Sequence, residues 1–255
     1  LKNWFKRGMK LEISHHFFFF FKGLPANICV KNTRYVKREV FKHDFFAATG
    51  LYVSKEPDSD LPDKVVVKIG RIQHFLGIPI HWLGRWLCER EVFILKKLDD
   101  LDGIPRLLKV EENSFVYEYI EGSSLDEGVA TDAKFWDELV DMVEKMHEKG
   151  VAYMDMNKKG NILRSVTGHP NIIDFQISIF ISESKFICGL NDLIRKKLQD
   201  SDLYHVYKHK RRLCPEALTE KERLLSRKRG TLIDLHRYLA DPYRKIRRKL
   251  MKYLY

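Results

Sequence analysis

No apolar run in the 255 residues approaches the ~18–20 needed to span a bilayer as a helix. The densest run, Phe17 to Phe21, is five phenylalanines held between His16 and Lys22. Cysteine is scarce as well. Cys29, Cys88, Cys188 and Cys214 lie far apart and form no CxxC pair. That spacing excludes a dense disulfide framework and a zinc ribbon, and predicts reduced thiols in a cytoplasmic compartment. A basic start, apolar stretch and small-residue cleavage site are missing from the N-terminus, so no secretory signal is expected. The first residue is Leu1, which fits a trimmed or partial sequence. There is no repeat at solenoid spacing and no low-complexity stretch beyond the phenylalanines. What is present is 44% hydrophobic residues, enough for a sizeable core and too many for whole-chain disorder.

Charge is unevenly placed. Residues 1–190 hold 27 basic and 27 acidic side chains, whereas 191–255 hold 19 basic against 8 acidic, the whole excess of +11. A partner carrying negative charge would account for it (nucleic acid, membrane headgroups or a phosphorylated substrate), and so would a solvated helical face. Nucleic acid finds no support in a stacking-aromatic motif. In the last stretch, 242–255, Ile246, Leu250, Tyr253 and Leu254 share one helical face, with Arg244, Lys245, Arg247, Arg248, Lys249 and Lys252 around it. Such a helix suits peripheral contact with an anionic membrane, or packs Ile246 and Leu250 on the domain. His205 and His209 have metal-ligand spacing but stand among lysines and arginines, and are expected on the surface.

Periodicity gives the order of elements. Residues 41–70 read as strands, with Val66, Val67 and Ile69 after a turn-rich stretch at 56–60. Leu87, Ile94, Leu95 and Leu98 predict a helix over 84–98. Two strands, 106–110 and 114–120, flank a polar turn. A second helix over about 132–149 carries Phe135, Leu139, Met142, Val143 and Met146 on one face, with Thr131 as cap and Gly150 as stop. Beyond Phe175 the chain turns helical and basic. A strand-rich first half and a helix-rich second half, joined near 120–123, predict an α+β fold in two lobes.

The chemistry concentrates in the run Gly150 to Leu163 and in Ile172-Ile173-Asp174-Phe175-Gln176. Asp155 and Asn161 on a loop, with Asp174 after a β-rich run, make a set of hard oxygen donors of the kind that holds Mg2+ together with phosphate oxygens. Taken singly, each is an ordinary turn residue. Lys68 sits inside the apolar strand Val65–Ile69, where a lysine usually points to solvent. Glu91 breaks the apolar stripe of the first helix and needs a partner if buried, since an unpaired buried charge costs several kcal/mol. Lys68 is the economical one. Glu89, on another face, is expected to be exposed.

In this order, Val67-Lys68, Glu91 to Leu98, Tyr117-Glu118-Tyr119-Ile120, Asp155…Asn161-Ile162-Leu163 and Asp174-Phe175-Gln176 resemble the protein kinase-like fold over residues 41–178: strand lysine, helical glutamate, hinge, catalytic loop and metal-binding aspartate. The departures are specific. Tyr153 and Met154 replace the usual His-Arg, five residues rather than four separate Asp155 from Asn161, and Gln176 replaces the DFG glycine. The nucleotide-covering loop has no G-x-G-x-x-G; Phe45 to Gly50 offers one glycine. Cys214-Pro215-Glu216 lies too far downstream to end an activation segment. The profile is more similar to atypical bacterial kinases, the lipopolysaccharide-core and Kdo sugar kinases, than to eukaryotic-type protein kinases.

The resemblance implies an N-lobe over 41–120 and a C-lobe over 121–255 with a shortened activation and substrate region and a basic C-terminal helix; 1–40 is left as an extension of unknown role. It implies ATP and Mg2+ as cofactors. Lys68 would hold the α/β-phosphates, oriented by Glu91; Glu118 and Ile120 would face adenine and Gly50 the phosphates; Asp155 would take the hydroxyl proton; Asn161 and Asp174 would bind the metal. The expected activity is transfer of the γ-phosphate to a hydroxyl, foremost on a glycan or lipid-linked sugar at the inner face of a membrane. An atypical Ser/Thr protein kinase and a catalytically dead pseudokinase scaffold are the alternatives.

Overall fold

The computed structural model describes residues 24–43, 47–55, 60–70, 81–181 and 188–227. These described residues form two compact units, one of those up to residue 100 with 104–120, the other of 101–103 with those from 121 on. The first contains a six-stranded antiparallel sheet of β1 (Asn27–Val30), β2 (Thr33–His43), β3 (Ala47–Ser54), β4 (Lys64–Gly70), β5 (Leu107–Glu111) and β6 (Ser114–Glu118), in the order β1-β2-β3-β4-β6-β5. Residues 27–40 are therefore part of this sheet and not of a separate N-terminal extension ending at residue 40. The polar run Lys37-Arg38-Glu39 hides the strand, because bulges at Lys37/Glu39 and Val40/Lys42 break its alternation.

One face of the sheet closes over Leu24, Val30, Tyr35, Ala48, Tyr52, Leu61, Val65, Val67 and Val116. Two tyrosines are buried in it because their hydroxyls find carbonyls: Tyr35 donates to Pro62 O at 2.8 Å and Tyr52 to Pro25 O at 2.6 Å. Burial pushes the Tyr52 phenol up to about 12. The opposite face of β4 meets helix α1 (His81–Lys97). Side chains alternate along a strand, so Val65 and Val67 enter the core while Lys68 turns toward α1.

The second unit is mainly helical: α2 (Ala133–Glu148), α3 (Cys188–Leu213) and α4 (Glu220–Leu225). Around them lie a three-stranded sheet of β7 (Gly122–Ser124), β9 (Ile162–Ser165) and β10 (Pro170–Ile172), and a pair formed by β8 (Val151–Ala152) and β11 (Ile179–Phe180). Helix α2 buries the five residues expected from its periodicity, and Trp136 with them. Its cap is Asp132, whose carboxylate accepts the Phe135 N–H at 2.8 Å. Thr131, expected in that place, accepts the Trp136 indole N–H instead, at 3.1 Å. Gly150 does end the helix, at φ +76°. Among the described residues no helix is long and apolar enough to cross a membrane. Residues 242–255 lie outside the described residues.

Candidate active site

In the first unit, strand periodicity brings Lys68 to Glu91. The Lys68 Nζ is 2.9 Å from Glu91 Oε1 and 2.7 Å from Oε2, and both side chains are buried. Gly70 lets the elements approach this closely. A Cβ on Gly70 would stand 2.5 Å from the Gly84 carbonyl oxygen and 2.8 Å from Cys88 Sγ, so β4 and α1 touch backbone to backbone beside the ion pair. Burial, and next the Glu91 charge, push the Cys88 thiol up to about 11, which keeps it a protonated, unreactive neighbour.

Strand β6 leads out of the sheet toward Ile120. The Glu118 N–H donates to Arg106 O at 2.9 Å and the Tyr119 N–H to Lys64 O at 3.2 Å. Among the described residues, none hydrogen-bonds the Ile120 N–H. Beside it the Phe41 ring stacks on Tyr119 with centroids 6.2 Å apart. Sequence reasoning missed Phe41, whose exposed ring is visible only once β2 is placed.

Gly50 does not belong to a phosphate-facing loop. It lies inside β3, where a Cβ would come within 2.6 Å of Leu24 Cδ1 and 2.8 Å of the Glu39 carbonyl oxygen. Close packing of β2 on β3 is the reason for this glycine. Residues 44–46, expected to cover the nucleotide, lie outside the described residues.

In the second unit, Asp155 and Asn161 are both buried and meet directly, the Asn161 amide donating to Asp155 Oδ2 at 3.0 Å. The same oxygen receives Lys158 Nζ at 2.5 Å. Lys158 escaped the sequence reading because the added loop residue shifts its spacing. Burial raises the Asp155 carboxyl pKa, Lys158 pulls it back, and the Asp174 charge adds to the rise. Asp174 itself follows β10 by two residues at φ +62°, and Met154 is at φ +69°. A left-handed backbone costs a non-glycine residue roughly 1–2 kcal/mol and persists where its surroundings fix it.

The fixing residue is Asp202 of α3, 1% exposed. Its Oδ2 accepts the Tyr153 N–H at 2.7 Å and its Oδ1 the Met154 N–H at 2.9 Å, while His147 Nε2 lies 3.2 Å from Oδ2. Tyr153, standing where kinases carry histidine, packs edge-on to Phe175 at 5.2 Å between centroids and donates its hydroxyl to Ile173 O at 2.5 Å. One aromatic side chain thus ties the Asp155 loop to the Asp174 turn. From sequence, Asp202 looks like any acid in a basic helix.

His209, expected on the surface, is buried against this loop. Its Nε2 bonds Met156 O at 3.1 Å, and Nδ1 is enclosed without a hydrogen bond. Burial, with Lys208 nearby, lowers its pKa from 6.5 to about 4. A histidine buried neutral supports the fold above its unfolded pKa, and loses that support as pH falls through about 4. The shift corresponds to about 3 kcal/mol. Urea denaturation should show the wild type losing stability from pH 6.5 to 4 with a component that His209→Phe lacks; identical pH slopes would refute this.

The donor set fits a Mg2+ that arrives with phosphate. Among the described residues there is no group of three or more His, Cys, Asp or Glu able to hold a metal by protein alone. Asn161 and Asp174 carry hard oxygen donors and could supply two ligands to a Mg2+ whose shell phosphates and water complete.

No protein-family model matches the chain, and no curated protein does. Solved structures do. The Rio2 kinase from Chaetomium thermophilum aligns with a TM-score of 0.50 at 15% identity, over 69% of this chain and 58% of that one. The same enzyme's ADP/Mg2+–phosphoaspartate complex aligns equally, over 69% of this chain and 56% of that one. The chain therefore spans less than two thirds of the structures it matches. At this identity the likeness concerns architecture: an α+β, bilobal protein kinase-like fold, with a β-rich N-lobe, a helical C-lobe and only 13 residues between Asp174 and the start of α3.

Proposed function

We propose that the chain is an ATP-dependent phosphotransferase that moves the γ-phosphate to a hydroxyl of a lipopolysaccharide-core sugar or another glycan or lipid-linked sugar. The observation that carries this reading is the Asp155 loop: a buried carboxylate with Asn161 and Lys158 on one of its oxygens, fixed from behind by Asp202. Lys68, held by Glu91, positions the α/β-phosphates. The Glu118 carbonyl and the Ile120 N–H take adenine, and the Phe41–Tyr119 stack borders that place. Asn161 and Asp174 hold Mg2+, which supplies neutralisation of phosphate charge. Asp155 orients the acceptor hydroxyl and takes its proton. Phosphoryl transfer asks mainly for positioning and charge, so this set suffices.

The short stretch after Asp174 leaves little to grip a peptide, which favours a sugar. The likeness to the Rio2 kinase fits an atypical Ser/Thr protein kinase equally. A pseudokinase scaffold is favoured by the lengthened loop and the missing glycines. Residues 242–255 would bring the enzyme to the inner membrane face.

Transfer of labelled γ-phosphate from ATP into a bacterial membrane-plus-cytosol extract separates these readings. Label in the lipid-glycan fraction supports the sugar kinase, label on protein supports the alternative, and ATP binding without transfer supports the scaffold. The pH profile gives a further check. Because burial raises Asp155, the acid limb of kcat/KM should lie above the ordinary aspartate range, and Lys158→Gln should move it higher still. A limb that stays in place in the variant would refute the pairing of Lys158 with the base.

A further inference from the structure

Helix α3 reaches the Asp155 loop at two levels. Asp202 accepts the N–H groups of Tyr153 and Met154, and His209 Nε2 lies 3.1 Å from the Met156 carbonyl oxygen. His209 stands seven positions after Asp202, two turns or about 10.5 Å, so both project from one side of the helix. Three peptide steps lead from Tyr153 to Met156, a reach of up to about 10 Å. One helical face can therefore hold the chain both before and after Asp155. Lys208 adds a bond to the side-chain oxygen of Asn157.

A carbonyl oxygen only accepts, so His209 Nε2 carries the ring proton and Nδ1 keeps a lone pair. That lone pair is enclosed and, among the described residues, has no hydrogen bond. A ring present only to fill space would do better as an apolar one, which leaves no polar atom unmatched. The bond to Met156 is what a histidine offers here and a phenylalanine does not. Past Met156 the chain turns back on Asp155: the Lys158 N–H donates to Asp155 O at 3.0 Å and the Asn161 N–H to Lys158 O at 3.1 Å. From this arc the Lys158 and Asn161 side chains reach Asp155 Oδ2. We infer that His209 is a positioning residue, whose Nε2–H fixes the arc from Met156 to Asn161 so that Lys158 and Asn161 meet the Asp155 carboxylate. The effect on turnover rests on the phosphotransferase reading proposed above; the hold on the loop does not.

The test compares the full wild-type chain with His209→Phe, which keeps a ring but no donor, and His209→Gln, which returns an N–H near the place of Nε2. In the wild type, imidazole nitrogen chemical shifts should report the Nε2–H tautomer. Deuterium exchange without nucleotide should be about tenfold faster over residues 156–161 in His209→Phe, the effect of one ordinary hydrogen bond, and near wild type in His209→Gln. Titration with a fluorescent nucleotide, without Mg2+, should give one affinity for all three chains. Transfer of labelled γ-phosphate should fall about tenfold in His209→Phe and recover in His209→Gln. An Nδ1–H tautomer would overturn the inference whatever the variants do. Exchange over 156–161 as slow in His209→Phe as in the wild type, or as fast in His209→Gln as in His209→Phe, would overturn it too. So would exchange that rises equally across the whole second unit, which marks a merely structural role, or undiminished transfer by His209→Phe. Should the wild type transfer no phosphate, the phosphotransferase reading falls, and tautomer and exchange still decide whether His209 holds the loop.

Discussion

Asp155→Asn should lower turnover about 10²-fold or more while ATP binds nearly as before, because general-base contributions run roughly 10²–10⁴. The amide is close to the carboxyl in shape and still presents an oxygen to Lys158 and Asn161, so the loop should keep its form. Asp174→Ala should act on the other quantity, weakening Mg2+-dependent nucleotide binding. Steady-state kinetics and titration with a fluorescent nucleotide separate the two. Equal turnover in wild type and Asp155→Asn would sink the role given to Asp155. Unchanged Mg2+ dependence in Asp174→Ala would do the same for Asp174.

Breaking the buried ion pair should cost the fold as well as the activity. In Glu91→Ala the Lys68 ammonium remains inside the sheet–helix contact with its partner gone, a change that typically destabilises by about 3–5 kcal/mol. Lys68→Met/Glu91→Leu removes both charges and fills the volume, and should recover most of that loss in urea denaturation. Activity should be absent from the double variant, which retains no cation to hold phosphate, and strongly reduced in Glu91→Ala, whose lysine has lost the carboxylate that orients it. If the single and double variants are equally stable, the pair is not the buried, mutually dependent unit that distances of 2.7 and 2.9 Å indicate.

Sequence patterns exposed those parts of the site that depend on local periodicity or on order along the chain. A glutamate on the apolar stripe of a helix demands a buried partner, and the lysine inside the apolar strand is the one it finds. Asp155, Asn161 and Asp174 were singled out by their order, and the structure brings Asn161 onto Asp155 and the Asp174 charge within reach of it. Asp202 and His209 were not legible, because their partners stand 48 to 55 positions away and nothing near them in sequence is unusual. The strands before residue 41 were hidden by bulges that interrupt alternation, and Gly50 was misread because a glycine required by close strand packing looks like one required by a ligand. Thr131 and Asp132 are both competent caps; only the indole N–H of Trp136 decides which does what.

The hold that Asp202 keeps on Tyr153 and Met154 also fixes a timing. During synthesis the segment carrying Asp155 leaves the ribosome well before α3, so the loop's left-handed residue has no anchor until some fifty further residues have emerged and the helix has docked. A nascent or truncated chain ending short of residue 202 would own every residue of the catalytic run and still not have its geometry. On the phosphotransferase reading proposed above, competence would arrive late and all at once.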